Sequence, residues 1–283
     1  MSNQQYLRHS WVRALAISLV LAACTKVPEL PPMNAAEHKD ALETLAKTKV
    51  YFGHQSVGRN VLQGLDELSK AAGVSVQVKK LDGSPWNAPA VAHSEIGKNN
   101  DPLGKIADFS QALARPEMTG TEVAILKFCY LDVAHDTIKD PRALVEAYAR
   151  GVDAVRAAHP NLKLVHATSP LRSDPPGWKT AIKRMIGRQT WEDPDNVLRN
   201  AYNDEIRKRF AGQPIFDIAL AESTLPDGSR SAFTLDGKTV YTLAAPYTDD
   251  GGHLNERGRQ YIAATFAKSV ADAMRSPVAA APR

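Results

Sequence analysis

Apolar and polar positions recur along the chain with two periods, one typical of helices and one typical of strands. From Val57 to Ala72, apolar residues return every three or four positions, as on one face of a helix, and Gly73 stands where a helix commonly ends. The same spacing predicts five further helices. They cover residues 35–47, 106–113, 143–158, 197–210 and 256–274.

Short apolar segments between these helices predict about five strands. They are residues 50–52, 74–78, 123–128, 162–167 and 215–218. Apolar strands that alternate with amphipathic helices are typical of a parallel sheet covered on both faces. We therefore predict an α/β fold, a three-layer, flavodoxin-like doubly wound sheet. Functional loops of such folds gather at the carboxyl ends of the strands.

The first residues have the pattern of an export signal. Arg8 and Arg13 precede an apolar run over residues 14–23, which ends in small residues directly before Cys24. A basic start, a short apolar stretch and small residues before a cleavage point are typical of a secretory signal peptide. The run is about half as long as a bilayer-spanning helix, so we do not expect a lasting transmembrane segment.

The sequence Leu21-Ala-Ala-Cys24 resembles the lipobox of bacterial lipoproteins. The resemblance implies that Cys24 is lipidated and becomes the new N-terminus, which would anchor the protein to a membrane. Thr25 in place of Asp favours the outer membrane, with the protein facing the periplasm. The alternative is an ordinary signal peptide with a Cys at this position by chance.

These features divide the chain into four predicted parts. A lipoprotein signal peptide covers residues 1–23, and a proline-rich tether covers residues 24–34. One domain is expected over residues 35–275, followed by a flexible tail over residues 276–283.

Composition and charge narrow the possible functions. Of the 283 residues, 43% are hydrophobic and 23% charged, which suffices for one substantial core. The net charge of +4 is small and its Lys and Arg are scattered, so nucleic-acid binding is not expected. If Cys24 is acylated, Cys129 has no partner for an intramolecular disulfide. We interpret Cys129 as a half-buried strand residue rather than a nucleophile.

Ser56 stands at the junction of the first predicted strand and the following helix. At a helix start, backbone N–H groups are unpaired and the helix dipole favours negative charge. A serine there can present its hydroxyl for attack while its own N–H stabilises an oxyanion. The alternative is that Ser56 only caps the helix.

Asp250 and His253 stand three residues apart, directly before the last predicted helix. A hydrolytic serine needs an imidazole base, and the imidazole needs a carboxylate to fix its tautomer. The intervening Gly-Gly allows a tight loop, although it is equally ordinary turn chemistry. A metal site at Asp249, Asp250 and His253 is a weaker hypothesis, because no further ligands stand at metal spacing. We predict no metal.

Together, Ser56 after the first strand and Asp250-Gly-Gly-His253 near the C-terminus resemble the SGNH, or GDSL-type, hydrolase family. The resemblance spans nearly all of the predicted domain. It is nearest to a poorly characterised bacterial lipoprotein branch. It implies a catalytic triad of Ser56, Asp250 and His253 and no cofactor.

The chain departs from the family in two places. The family's Gly-Asp-Ser is Gly-His-Gln-Ser here, and no Asn takes the place of the family's Gly-x-Asn in Phe128-Cys-Tyr-Leu-Asp132. Oxyanion donors must then come from elsewhere, and we assign them to Ser56, Gly97 and Asn99. Four more residues are candidates to contact the substrate or support the catalytic groups. They are His54, Gln55, Asn100 and Tyr130.

The resemblance predicts an esterase or acyltransferase acting on small-molecule or glycan esters, with no cofactor. The export signal points to acyl groups of cell-envelope or extracellular glycans. The alternative is a binding or scaffold lipoprotein that kept the fold and lost efficient catalysis, and a metal-dependent hydrolase is a third hypothesis. The sequence does not predict an oligomeric state.

Overall fold

The computed structural model describes residues 33–174, 190 and 192–278. The predicted signal peptide and most of the tether lie outside the described residues. A parallel sheet is formed by β1 Lys49–His54, β2 Val78–Lys80, β3 Ala90–Glu95, β4 Val123–Leu126, β5 Lys163–Ala167 and β6 Ile215–Phe216. A separate antiparallel hairpin comprises β7 Ala232–Leu235 and β8 Lys238–Tyr241. The α-helices are α1 Lys39–Ala46, α2 Ser56–Ala72, α3 Pro102–Leu113, α4 Pro141–Ala158, α5 Asp193–Arg209, α6 Ile218–Ser223 and α7 Glu256–Arg275.

The large sheet has the strand order β2-β3-β1-β4-β5-β6, and every neighbouring pair is parallel. Without the edge strand β2, the order is that of a flavodoxin-like sheet, in which the second strand lies outside the first and the later strands follow on the other side. The predicted α/β, doubly wound architecture is confirmed. The strand order reverses between β1 and β4, and such folds bind their ligands outside the carboxyl ends of the strands at this point.

The strand prediction was wrong around the second strand. Residues 74–77 precede the short strand β2, and the predicted sheet lacked β3, which lies beside β1. The outer half of β3 is His93-Ser94-Glu95, so its apolar run is too short to predict a buried strand. The sheet therefore has six strands rather than about five.

The core lies on both faces of the sheet. Val50 and Phe52 of β1 pack into one cluster with α2 and α7, whereas Tyr51 packs into a second cluster with α3, α4 and α5. Burial on both faces explains why the strands read as continuous apolar runs. Cys129, expected to be half-buried, is a fully buried free thiol just beyond β4.

Helices α2 and α7 are held in close contact, and both begin at the carboxyl edge of the sheet. A Cβ on Gly64 would lie 2.2 Å from the Arg259 carbonyl oxygen, so only glycine permits this approach. Helix α2 ends at Gly73, whose φ of +67° is the left-handed conformation that glycine adopts readily. None of the described helices is long and apolar enough to cross a membrane.

Candidate active site

Ser56 is the first residue of α2, and only Gln55 separates it from the end of β1. Gln55 takes the N-cap position, and its side chain makes no capping hydrogen bond. Ser56 is half-buried, and its hydroxyl forms no hydrogen bond within the described residues. The Ser56 N–H belongs to the first turn, where backbone donors have no partner within the helix. The position supplies both a free hydroxyl and an outward N–H donor.

Asp250 and His253 form a hydrogen-bonded pair in the loop before α7. His253 Nδ1 lies 2.6 Å from Asp250 Oδ2, while Asp250 Oδ1 accepts the N–H groups of His253 at 2.7 Å and Gly252 at 2.8 Å. Partial burial opposes ionisation of this carboxylate, but the hydrogen bonds from His253 and Gly252 hold the pKa of Asp250 well below its usual range. An ionised carboxylate on Nδ1 directs Nε2 away as a base.

The two glycines of this loop are required by a neighbouring segment that follows β5. Gly251 has φ of +82°, and a Cβ there would lie 2.8 Å from Ser173 Oγ. A Cβ on Gly252 would lie 3.1 Å from the Arg172 guanidinium. Ser173 N–H also donates to the Gly251 carbonyl at 2.9 Å. The segment Arg172–Ser173 therefore fixes the loop that carries the Asp–His pair.

Asn60 links this loop to the helix that Ser56 opens. Asn60 Oδ1 accepts the N–H of Leu254, the residue after His253, at 3.3 Å. Ser56 and Asn60 are four residues apart in α2, so their side chains lie on the same helical face. This hydrogen bond holds the loop that carries Asp250 and His253 against the face of α2 on which Ser56 lies. Among the hydrogen bonds of the described residues, none joins His253 to Ser56. Hydrogen bonds between nucleophile and base commonly tighten only when substrate binds.

The two residues before Ser56, His54 and Gln55, bind neighbouring parts of the chain through their side chains. His54 is fully buried, and burial lowers its pKa to about 3, so the ring is neutral. Its Nδ1 lies 3.0 Å from the Gln55 carbonyl, which can only accept, so its Nε2 must accept from His93 Nδ1, also at 3.0 Å. Gln55 Nε2 donates to the carbonyls of Ile96 at 2.8 Å and Gly97 at 3.0 Å. The side chains of His54 and Gln55 therefore bind backbone carbonyl groups of the segments around the site.

The loop after β3 carries the predicted oxyanion donors, and one of them needs correction. The Gly97 N–H donates to Asp108 Oδ2 at 2.7 Å and is therefore not available to an oxyanion. Gly97 is needed for a different reason, since it has φ of +54° and a Cβ there would lie 2.7 Å from Lys105 Cγ. Asn99 is exposed and accepts from Lys105 Nζ at 3.0 Å, which leaves its NH₂ group as a donor.

Asn100 and Tyr130, the two remaining candidates, contact different neighbours. The Asn100 N–H donates to Asp132 Oδ1 at 3.0 Å. The Tyr130 ring packs edge-on against His253, with 6.2 Å between ring centroids, and the Arg172 guanidinium lies 5.0 Å from the Tyr130 centroid. Tyr130 therefore contacts the His253 ring directly.

Sequence reasoning missed Asn60, Arg172 and Lys105 as parts of this site. Asn60 could have been found, because it stands one helical turn after Ser56. Lys105 and Arg172 are separated in sequence from the groups they contact, and no local pattern marks them. Within the described part of the chain, no group of three or more His, Cys, Asp or Glu side chains could hold a metal ion.

Comparisons with known proteins find solved structures with a similar course of the backbone and low sequence identity. No family model and no curated protein matches the chain. A candidate acylhydrolase of Bacteroides fragilis is 14% identical, with a TM-score of 0.49 over 86% of this chain and 96% of that one. A lipase/acylhydrolase of Enterococcus faecalis is 11% identical, with a TM-score of 0.44 over 83% and 100%. A carbohydrate acetylesterase of Sinorhizobium meliloti is 14% identical, with a TM-score of 0.39 over 79% and 97%.

Proposed function

We propose that this protein is a serine esterase or acyltransferase that acts on ester-linked acyl groups. The observation that carries the proposal is the Asp250–His253 pair, which is held through Leu254 and Asn60 on the helical face that Ser56 opens. An ionised carboxylate, an oriented imidazole and a serine at a helix start are the parts that acyl transfer requires. No cofactor takes part.

In the proposed reaction, Ser56 Oγ attacks the ester carbonyl while His253 takes the serine proton. His253 then returns that proton to the leaving alcohol, which departs and leaves an acyl group on Ser56. Water, or a second alcohol in a transferase, attacks this acyl group with His253 again as base. The Ser56 N–H and the Asn99 NH₂ are the proposed donors to the negative oxygen.

The location and the substrate class follow from the N-terminal sequence. A lipoprotein signal peptide over residues 1–23, cleaved before a lipidated Cys24, would place the protein in the bacterial cell envelope, lipid-anchored and facing the periplasm from the outer membrane. The esters within reach would then be acylated glycans of the envelope or of the surroundings. We propose these as the substrates.

The test compares hydrolysis of p-nitrophenyl acetate and acetylated xylan by the protein and by Ser56→Ala and His253→Ala variants. Both variants should lose at least about a thousandfold in kcat. His135→Ala is the matched control, because His135 Nδ1 also lies 2.6 Å from a carboxylate, that of Asp195. A fluorophosphonate should label Ser56 alone. Equal rates in Ser56→Ala and the unmodified protein would refute the proposal.

A catalytically impaired binding lipoprotein is the second candidate. The observation in its favour is the oxyanion region, where the Gly97 N–H is engaged by Asp108 and Tyr130 stands near His253. Losing one oxyanion donor typically costs about 10²–10³ in kcat. A folded protein that binds acetylated xylan, hydrolyses neither ester and resists the fluorophosphonate would favour this candidate.

A further inference from the structure

Beneath the loop after β3, two opposite charges are completely buried. Lys105 Nζ lies 2.5 Å from Asp132 Oδ2, and neither side chain is exposed to solvent. Removing two charges from water costs several kcal/mol per ion, which the attraction between them does not reliably offset. A pair of well-packed apolar side chains would serve stability as well or better. Stability alone therefore does not explain why Lys105 and Asp132 are charged.

Lys105 also contacts the residue that is proposed to donate to the oxyanion. Its Nζ lies 3.0 Å from the Asn99 side-chain oxygen. An ammonium group has three donors and no acceptor, so it can bind only the oxygen of a carboxamide. The contact therefore fixes which way the Asn99 amide faces. The NH₂ group is turned away from Lys105, and the positive charge polarises it as a donor.

Asp132 joins this lysine to the backbone on both sides of the site. Its carboxylate accepts the N–H of Asn100 at 3.0 Å and the N–H of Cys129 at 2.6 Å. Asn100 follows Asn99 in the loop after β3, and Cys129 follows β4. One carboxylate thus connects the loops that follow β3 and β4, the two strands on either side of β1, and it balances the charge of Lys105.

We propose that Lys105 and Asp132 are positioning residues that orient the Asn99 NH₂ group as an oxyanion donor. The proposal rests on the proposed function, since the donor has a use only if Ser56 forms an acyl intermediate. It explains how the site can work without the Asn of the resembling family's Gly-x-Asn. The donor comes from the loop after β3, and its orientation comes from a buried cation.

The test is a double-mutant cycle on ester hydrolysis. One arm is Asn99→Ala, and the other is Lys105→Met with Asp132→Asn, which removes both charges together. Asn99→Ala should lower kcat about 10²-fold with a smaller change in KM. The charge-free variant should also lower kcat, but it should cost nothing further in the Asn99→Ala background. Lys98→Met, which removes an exposed lysine from the same loop, is the matched control and should leave kcat unchanged.

Equal losses of kcat from the charge-free variant with and without Asn99 would overturn the proposal, because the pair would then act on kcat independently of Asn99. An Asn99→Ala variant with full kcat would overturn it as well. If the charge-free variant does not fold, Lys105→Gln with Asp132→Asn replaces it in the cycle. This pair leaves no unpaired buried charge, and a glutamine amide both donates and accepts and so no longer fixes the Asn99 orientation. Hydrolysis that does not depend on Ser56 would instead refute the proposed function, and this inference with it.

Discussion

The two halves of the candidate active site are held by different forces. The half that carries His253, the proposed base, is near solvent: the side chains of His253 and Asp250 are 43% and 57% exposed. It is held by backbone hydrogen bonds, by two glycines and by the segment Arg172–Ser173. The half assigned to the oxyanion is held from beneath by Lys105 and Asp132, which are fully buried.

The two halves should respond differently to substitution. An exposed carboxylate that is already solvated adds little to the free energy of unfolding. Substitutions in the first half should therefore lower activity and leave stability nearly unchanged. A buried charge that loses its partner destabilises the fold, so substitutions in the second half should lower both activity and stability. Variants in the two halves should therefore separate catalysis from folding.

The largest expected effect is on catalysis in the exposed half. Asp250→Asn keeps the shape of the loop but lets His253 adopt the wrong tautomer, so kcat for p-nitrophenyl acetate should fall about 10⁴-fold. Asp249→Asn is the control, because this neighbouring carboxylate accepts only from Asn255, at 3.2 Å. The urea midpoints of both variants should match the unmodified protein. A kcat reduced equally in both would contradict the role of Asp250.

The same contrast explains what the sequence could predict of the site. Asp250 and His253 are three residues apart, and Ser56 follows its strand by one residue, so a short pattern contains them. The Lys105–Asp132 contact joins residues 27 apart, and the Asn60–Leu254 contact joins residues 194 apart. Contacts at such separations depend on the folded arrangement of strands. The Gly97 N–H was misassigned because its partner Asp108 lies on the following helix.

The fold shows the same limit. Helix α2 was predicted to within one residue because its apolar period and Gly73 are local features. Strand β3 was missed although it lies inside the sheet. Only its first three residues are buried, and the last three are partly or fully exposed, so no long apolar run marks it. Strand β2 was displaced because an exposed edge strand of three residues has no apolar run to recognise.

The next largest effect should be on stability, in the buried half. Asp132→Ala leaves the Lys105 ammonium buried without its carboxylate, which should lower the free energy of unfolding by about 3–5 kcal/mol. Asp250→Ala should change it by less than about 1 kcal/mol. Urea unfolding of both variants at pH 7 measures the difference. Equal destabilisation by the two would show that exposure does not separate the halves.

A smaller effect tests the glycine support of the exposed half. Gly251→Ala places a Cβ 2.8 Å from Ser173 Oγ and strains a residue with φ of +82°. Backbone strain of this kind costs about 1–2 kcal/mol. Gly228→Ala is the matched control, because Gly228 also has φ of +82° but has open space around it. Both should lose similar stability, whereas only Gly251→Ala should lose activity, by about tenfold or more. Full activity in Gly251→Ala would contradict a role for Ser173 in fixing the loop.

The smallest predicted effect concerns a buried acid beneath the exposed half. Glu222 Oε2 accepts the Leu171 N–H at 2.8 Å, directly before the segment that contacts Gly251 and Gly252. Burial raises the pKa of Glu222 to about 8. Because the folded pKa lies above the unfolded value, the protonated form stabilises the fold. This contribution is full below the unfolded pKa, near 4.5, and is lost as pH rises through about 8.

The prediction is a gain in the relative stability of Glu222→Gln as pH rises. The free energy of unfolding of the variant minus that of the unmodified protein should increase from pH 5.5 to pH 7.5, because the glutamine has no proton to lose. The buried His54 titrates in both proteins and cancels in the difference. The buried Lys127 does not cancel, because the Glu222 charge raises its pKa; in the variant Lys127 loses its proton at lower pH, which also stabilises the folded variant as pH rises. The difference therefore reports the Glu222–Lys127 pair. Glu256→Gln, at an exposed glutamate, is the control and should show a flat difference. A flat difference for Glu222→Gln too would mean that the loop with His253 rests on its backbone contacts alone. A rising difference would mean that the neutral form of Glu222 supports the segment beside His253, whereas a buried ion pair, Lys105–Asp132, lies beneath Asn99.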